Sequence, residues 1–385
     1  MSILSFLKSE EETCLLVDIG NGSMACALVL FAKNKKPRFL YSIERPFIVT
    51  EKPDIRRLSD GMDTLLDSLL STIIKKSKSL SYVVVSFSSP WFVLKTKNIH
   101  LENNIPFTIT KFFINSIVSK EEKIFKKELL TEFSGSKDRR FSAIEQSLVH
   151  TTINGYAVED VIGKKTKFLD ASIFLSAIAT NIKEKIVNII SKQTHIPEDK
   201  ILLHSFPLVL FSAVRDNFTK SQDFILMDIT SELTDMTLVS HGVISKNISF
   251  PFGRRSIVRQ IAKTFNISPE IAESQLSMYI SAKIDQTGLE TMQKLMQDLE
   301  KEWSVYLEDT LQSLSENMIL PKTIYITADN DTTPIFMDFL SGKNIEIVHI
   351  NKEVLSPFYQ TDSKIGENEF ITILALFYDK LFKNQ

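Results

Sequence analysis

Two short stretches carry residues whose types and spacing could do chemistry. Asp18-Ile19-Gly20-Asn21-Gly22-Ser23 ends an apolar run on an acid and follows it with small residues. Asp228-Ile229-Thr230-Ser231-Glu232-Leu233-Thr234-Asp235 repeats the plan 210 residues later. An Asp at the end of a strand can orient a hydrated divalent metal, and a small-residue loop can aim successive backbone N–H groups at phosphate oxygens. Gly20 and Gly22 would let backbone approach phosphate closely. One Asn-Gly between apolar runs reads first as a two-residue hairpin turn. Two copies read as an ancestral nucleotide cleft, with Asp18 and Asp228 facing each other as its metal-orienting acids.

The elements that must position these loops are legible on both sides of them. Cys14–Ile19, Met24–Ala32 and Arg38–Phe47 read as a three-strand meander, followed by a helix over Leu58–Lys76. In that helix Met62, Leu65, Leu66, Leu69 and Ile73 share one face. Tyr82–Phe87 is a β-branched run, and such runs form buried strands. The meander returns as Phe224–Ile229, Thr234–Ser240 and, after His241-Gly242, Val243–Phe250. This is internal symmetry at the level of the fold. Between the copies, Trp91–Ile99 predicts a strand, Thr110–Leu130 a charged helix, Ile144–Ile153 and Tyr156–Ile162 a hairpin about Asn154-Gly155, Phe168–Ala179 a strand and Ile182–Gln193 a helix. After the second copy come helices at Ser256–Phe265, Pro269–Ile280 and Thr287–Asn317, strands at Thr323–Thr327 and Ile345–Ile350, and a closing helix at Glu369–Phe382. That last helix is apolar nearly all round, which predicts burial.

Composition narrows the function classes. The 45 Lys+Arg against 47 Asp+Glu leave a net charge of −2 over 385 residues, which excludes a strongly basic nucleic-acid binder. No apolar run reaches the roughly 18 residues of a membrane-spanning helix. The N-terminus has no signal-peptide pattern, so a cytoplasmic protein is expected. Cys14 and Cys26 are the only cysteines, and they read as small core residues rather than a disulfide. The histidines are scattered singly, with no zinc-binding spacing. Eleven glycines in 385 residues fall well below the usual ~7%. An enzyme built on glycine-rich phosphate loops would carry more.

The chain resembles the actin-like ATPases, in the branch of the FtsA cell-division and PilM pilus-assembly proteins. LLVDIGNGSMACALV resembles that family's first phosphate loop and FILMDITSELTDMTLVSHGVI its second. HSFPLVLFSAV resembles the helix connecting the halves, and FGRRSIVRQIAKTFNISPEIAES the stretch leading to the nucleoside-contacting helix. The segment containing SLVHTTINGYAVEDVIGKK resembles the strand–helix–strand–strand insert that marks the branch. The motifs follow in family order over nearly the whole chain. The resemblance implies an α/β, ribonuclease H-like duplicated actin fold with that α+β insert. It divides the chain into residues 1–87 (first half), 88–192 (insert), 193–222 (return with the connecting helix), 223–344 (second half) and 345–385 (closing segment). It also implies ATP with Mg, held by Asp18, Gly20, Asn21, Gly22, Ser23, Asp228, Thr230, Ser231, Thr234, Asp235, Glu273, Ala328 and Asp329, with Asp18 and Asp228 serving the metal.

Departures from the pattern weaken that site. Thr230, Ser231, Glu232 and Leu233 stand where the second loop carries glycines, and Ala328-Asp329 where the adenosine motif has two. Leu276 replaces a lysine and Phe206 an acid. A side chain in a glycine position blocks close backbone approach. An acid at 329 would repel a phosphate charge at 4 Å by about 1 kcal/mol in water and about 4 kcal/mol at an effective dielectric of 20. Two or three lost contacts predict ATP binding weaker by roughly a hundredfold to a thousandfold, with no turnover and no catalytic residue to name. The expectation is therefore a scaffold without nucleic-acid partners, recruiting a tubulin-like FtsZ or a PilN-type peptide. Self-association is open, and contact with the membrane's inner face would run through the partner. The insert tilts the reading towards cell division, with PilM-like pilus assembly as the alternative and an active ATPase or sugar kinase as the second. FtsA proteins usually end in an amphipathic membrane helix, whereas this sequence stops at Gln385. Its lead Met1–Lys8 is too short for firm membrane binding alone.

Overall fold

A computed structural model describes residues 11–383 apart from 49, 51, 53–54, 78, 134–139, 159, 317, 330 and 363–367. The lead Met1–Lys8 lies outside the described residues. The chain opens with strands β1 (Glu11–Ile19), β2 (Ser23–Ala32) and β3 (Arg38–Pro46), then helix α1 (Ile55–Ile73) and strand β4 (Tyr82–Phe87). The insert contributes β5 (Phe92–Thr108), α2 (Lys111–Glu132), β6 (Phe141–Ile153), β7 (Tyr156–Ala157) and β8 (Lys165–Ala179). α3 (Thr180–Thr194), β9 (Ile201–Ser205) and α4 (Phe206–Asn217) lead into the second half. There follow β10 (Phe224–Ile229), β11 (Thr234–Ser240), β12 (Val243–Phe250), α5 (Arg254–Phe265), α6 (Pro269–Ile280) and α7 (Gln286–Ser315). β13 (Thr323–Ala328), α8 (Thr333–Leu340), β14 (Glu346–His349), α9 (Lys352–Leu355) and α10 (Glu369–Lys383) complete it.

The duplication is plain in the sheets. One runs β3-β2-β1-β4-β9 and the other β12-β11-β10-β13-β14, each an antiparallel meander extended by two parallel strands. Parallel neighbours need long crossovers, which is why helices intervene between β1's meander and β4, and between β10's and β13. α4 and α10 share one core with both sheets, through Leu16, Phe206, Leu210, Phe224, Tyr325 and Leu374. α1 and α3 cover the outer face of the first sheet. α5–α8 cover that of the second, around Trp303. The closing helix is thus buried on most sides, as its apolar composition predicts.

The insert forms its own sheet, β5-β8-β6-β7, with Phe125 and Leu129 of α2 packed on it. α2 starts where Thr110 caps it, its Oγ1 accepting from the Phe113 N–H at 3.1 Å.

Three expectations need correcting. Asn154-Gly155 and His241-Gly242 are two-residue turns with both residues at positive φ, but neither Asn21 nor Gly22 is in the left-handed region. The first loop is therefore a three-residue connection, Gly20 to Gly22, and not a two-residue hairpin turn. The predicted strand Tyr156–Ile162 stops at Ala157, beyond which Val158 is tied to Thr151 of β6 by its N–H, donating to the Thr151 carbonyl, and by its carbonyl, accepting from Thr151 Oγ1. The predicted strand Trp91–Ile99 is instead a 17-residue β5, since β8 pairs with it from Phe92 to Glu102 and, after a register shift, again at Phe107 and Thr108.

Candidate functional site

Register places the two acids equivalently. Asp18 on β1 lies beside Ser86 on β4, and Asp228 on β10 beside Thr327 on β13. In each pair the hydroxyl donates to the Asp Oδ1 at 2.7 Å. Both acids are 4% exposed. Burial lifts the Asp18 carboxyl to about 7, with Glu44 and Asp329 adding repulsion against the Ser86 bond. Burial raises Asp228 well above the ordinary carboxylate range, with added repulsion from Asp235, Asp18 and Asp329. Asp329, partly exposed beyond β13, is raised to about 7 by burial and by Asp331, with Arg254 opposing. Asp18 is thus among the charges that raise Asp228.

The cavity beside Asp18 is small. Asp18, Gly20, Asn21, Gly22, Ser23, Thr230, Ser231 and Asp329 line a cavity of about 20 Å³, together with Ser88 and Phe370. That is room for about one water. Asn21 fills the cleft: it is fully buried, and its amide Nδ2 donates to the Ser89 carbonyl at 2.6 Å and to Thr230 Oγ1 at 2.7 Å. Its Oδ1 accepts from the Glu232 N–H at 3.0 Å. Gly22 lies so close to the second loop that an added Cβ would sit 2.3 Å from that of Ser231.

The expected site residues also bond to partners within the protein. Thr234 donates to the Phe252 carbonyl at 2.7 Å. Asp235 accepts from Ser89 Oγ at 2.9 Å and from Ser249, and burial raises its carboxyl despite both bonds. Ser23 Oγ donates to Glu44 at 2.7 Å. Glu273 on α6 pairs with Arg254 at 2.6 Å, and Ala328 is buried at the end of β13. In this arrangement the cavity has room for about one water, and the carboxyls of Asp18, Asp228 and Asp329 are each raised first by burial. Among the described residues no group of three or more His, Cys, Asp or Glu is arranged to hold a metal ion. Cys14 and Cys26 are free and buried, with burial pushing both thiols up.

Sequence reasoning passed over several residues that shape this junction. Ser86 and Ser89 follow from polar residues ending an apolar strand, a readable signal. Arg255 and Arg259 are one helical turn apart on α5, and both reach Glu232. Glu145, on β6 of the insert, is buried and accepts from the Ser205 N–H at 3.1 Å, from Ser205 Oγ at 2.6 Å and from Ser176. It anchors the insert to β9, and no local pattern marks it. A separate concavity of about 930 Å³ lies where α1 meets the second half, with Phe47, Leu58, Leu65, Pro90, Leu233 and Pro251 among its lining. Arg57, Arg255, Arg259 and Glu232 line it as well.

No family model matches the sequence, and no curated protein matches it. Among solved structures the chain is similar to a chain of the PilM-PilN type IV pilus biogenesis complex, at 13% identity and a TM-score of 0.60, covering 96% of this chain and 98% of that one. It is also similar to the ethanolamine utilization protein EutJ from Carboxydothermus hydrogenoformans, at 12% identity, 95% and 89% coverage and a TM-score of 0.48. The fold is that of the actin-like ATPases. No helix among the described residues is long and apolar enough to cross a membrane.

Proposed function

We propose that this chain is a PilM-like scaffold, an actin-fold platform that works by holding a PilN-type protein partner and not by turning over ATP. The observation that carries this is the extent of the match to the PilM-PilN structure, which covers 96% of the chain and so takes in the insert as well as both halves. The filled cleft supports the same reading, because a platform needs a fixed shape and not a nucleotide cycle. A cell-division role with an FtsZ-type partner draws no support from that match. In this reading the protein acts in the cytoplasm and meets the membrane's inner face through its partner. The division into two halves and an insert at about 88–192 gives the partner a separate sheet to engage.

The test is co-purification of the tagged chain with the cytoplasmic segment of a PilN-type protein from the same organism, beside a parallel arm with FtsZ. Capture of the PilN-type segment, with no ATP hydrolysis above background, is the expected result. Capture of FtsZ alone would move the protein to cell division, and measurable turnover would return it to the enzymes.

A further inference from the structure

We infer that the cleft is a self-bridged latch, in which the Asn21 carboxamide and a Glu232–Arg255–Arg259 cluster hold the two halves closed where facing phosphate loops would otherwise share a nucleotide. Three of the loop N–H groups that could cradle an anion are already used. The Gly20 N–H donates to the Ser23 carbonyl at 3.1 Å and the Thr230 N–H to the Leu233 carbonyl at 2.9 Å. The Glu232 N–H donates to Asn21 itself. Asn21 spends both amide hydrogens across the cleft floor, on Ser89 and Thr230. Leaving such a buried group unpaired is costly, so the closed arrangement satisfies what an open one would expose to water instead.

A second set of bonds lies beside the first. Glu232 accepts from Arg259 Nη1 at 2.8 Å and Nη2 at 2.6 Å, and from Arg255 Nη1 at 3.2 Å. The guanidiniums then reach into the first half. Arg255 Nη2 donates to the Phe47 carbonyl at 2.7 Å and Arg259 Nε to the Thr50 carbonyl at 3.0 Å, both on the chain leaving β3. Arg255 is 4% exposed at its side chain, so this is a largely desolvated cluster and not a surface ion pair. Direct side-chain bonds of this kind, 208 or more residues apart in sequence, make closure independent of a bound ligand.

Hydrogen exchange over 19–24 and 228–236, with thermal melting of the full chain, tests the latch. Millimolar Mg-ATP should leave the wild-type Tm and exchange unchanged. Asn21→Ala should speed exchange in both loops about tenfold and lower Tm by roughly 3 °C or more. A Tm raised several degrees by Mg-ATP would overturn the proposal, since a ligand stabilises only a site it can enter. So would an Asn21→Ala protein whose two loops stay as protected as the wild type's. If that variant does not fold, Glu232→Gln keeps the shape, removes the charge the guanidiniums share, and is read by the same two criteria.

Discussion

Replacing Asp18 by Asn should stabilise the protein at alkaline pH, and by more at pH 8 than at pH 6. Asp18 is 4% exposed and its carboxyl is raised from 3.8 to about 7, first by burial and then by neighbouring acids. A folded-state value above the unfolded one means that the native protein keeps a proton the unfolded chain releases. Stability is therefore greatest at low pH, falls as pH rises past the unfolded value, and stops falling above the folded one. At about 1.4 kcal/mol per tenfold in proton affinity, the full cost at pH 8 is about 4 kcal/mol. Between pH 6 and pH 8 this one group accounts for about 1.4 kcal/mol of that loss. Asn keeps the acceptor for the Ser86 hydroxyl, and it carries no charge to desolvate. It also removes the repulsion between this position and Asp228 and Asp329. Urea unfolding of both proteins at the two pH values isolates the group, because other carboxyls contribute to each. A variant less stable than wild type at pH 8, or a gain identical at both pH values, would refute this account of the buried acids.

Gly253→Ala would place a Cβ 2.3 Å from the Thr230 carbonyl oxygen and 2.6 Å from that of Ser231; a loss of about 1–3 kcal/mol in chemical unfolding is expected, with the second loop displaced. Trp303, fully buried at the centre of the second half, should cost about 3–5 kcal/mol when cut to Ala, read from the unfolding midpoint. Glu145→Ala strands the Ser205 N–H and two serine hydroxyls; a loss of about 3 kcal/mol is expected, with faster hydrogen exchange in β6.

The meander was readable twice because strand periodicity and an Asp-Ile ending are local properties, and the sheets confirm both copies in one shared order. The long helices follow from apolar spacing in the same way; α6 occupies the predicted Pro269–Ile280. Two short elements were missed. β9, with five residues, and α8, with eight, are too brief for a period to show. The residues lining the cleft could be named from their types, but what they do there could not. Asn21-Gly22 carries the signature of a tight turn, and that signature is decided by a partner 209 residues away, Thr230, which draws the amide into the cleft. The acids likewise look metal-ready in sequence. Only folding strips Asp18, Asp228 and Asp329 of water, and that desolvation raises all three carboxyls above the ordinary range. Local pattern fixes the strands and loops, whereas charge state and available volume depend on what the second half brings against the first.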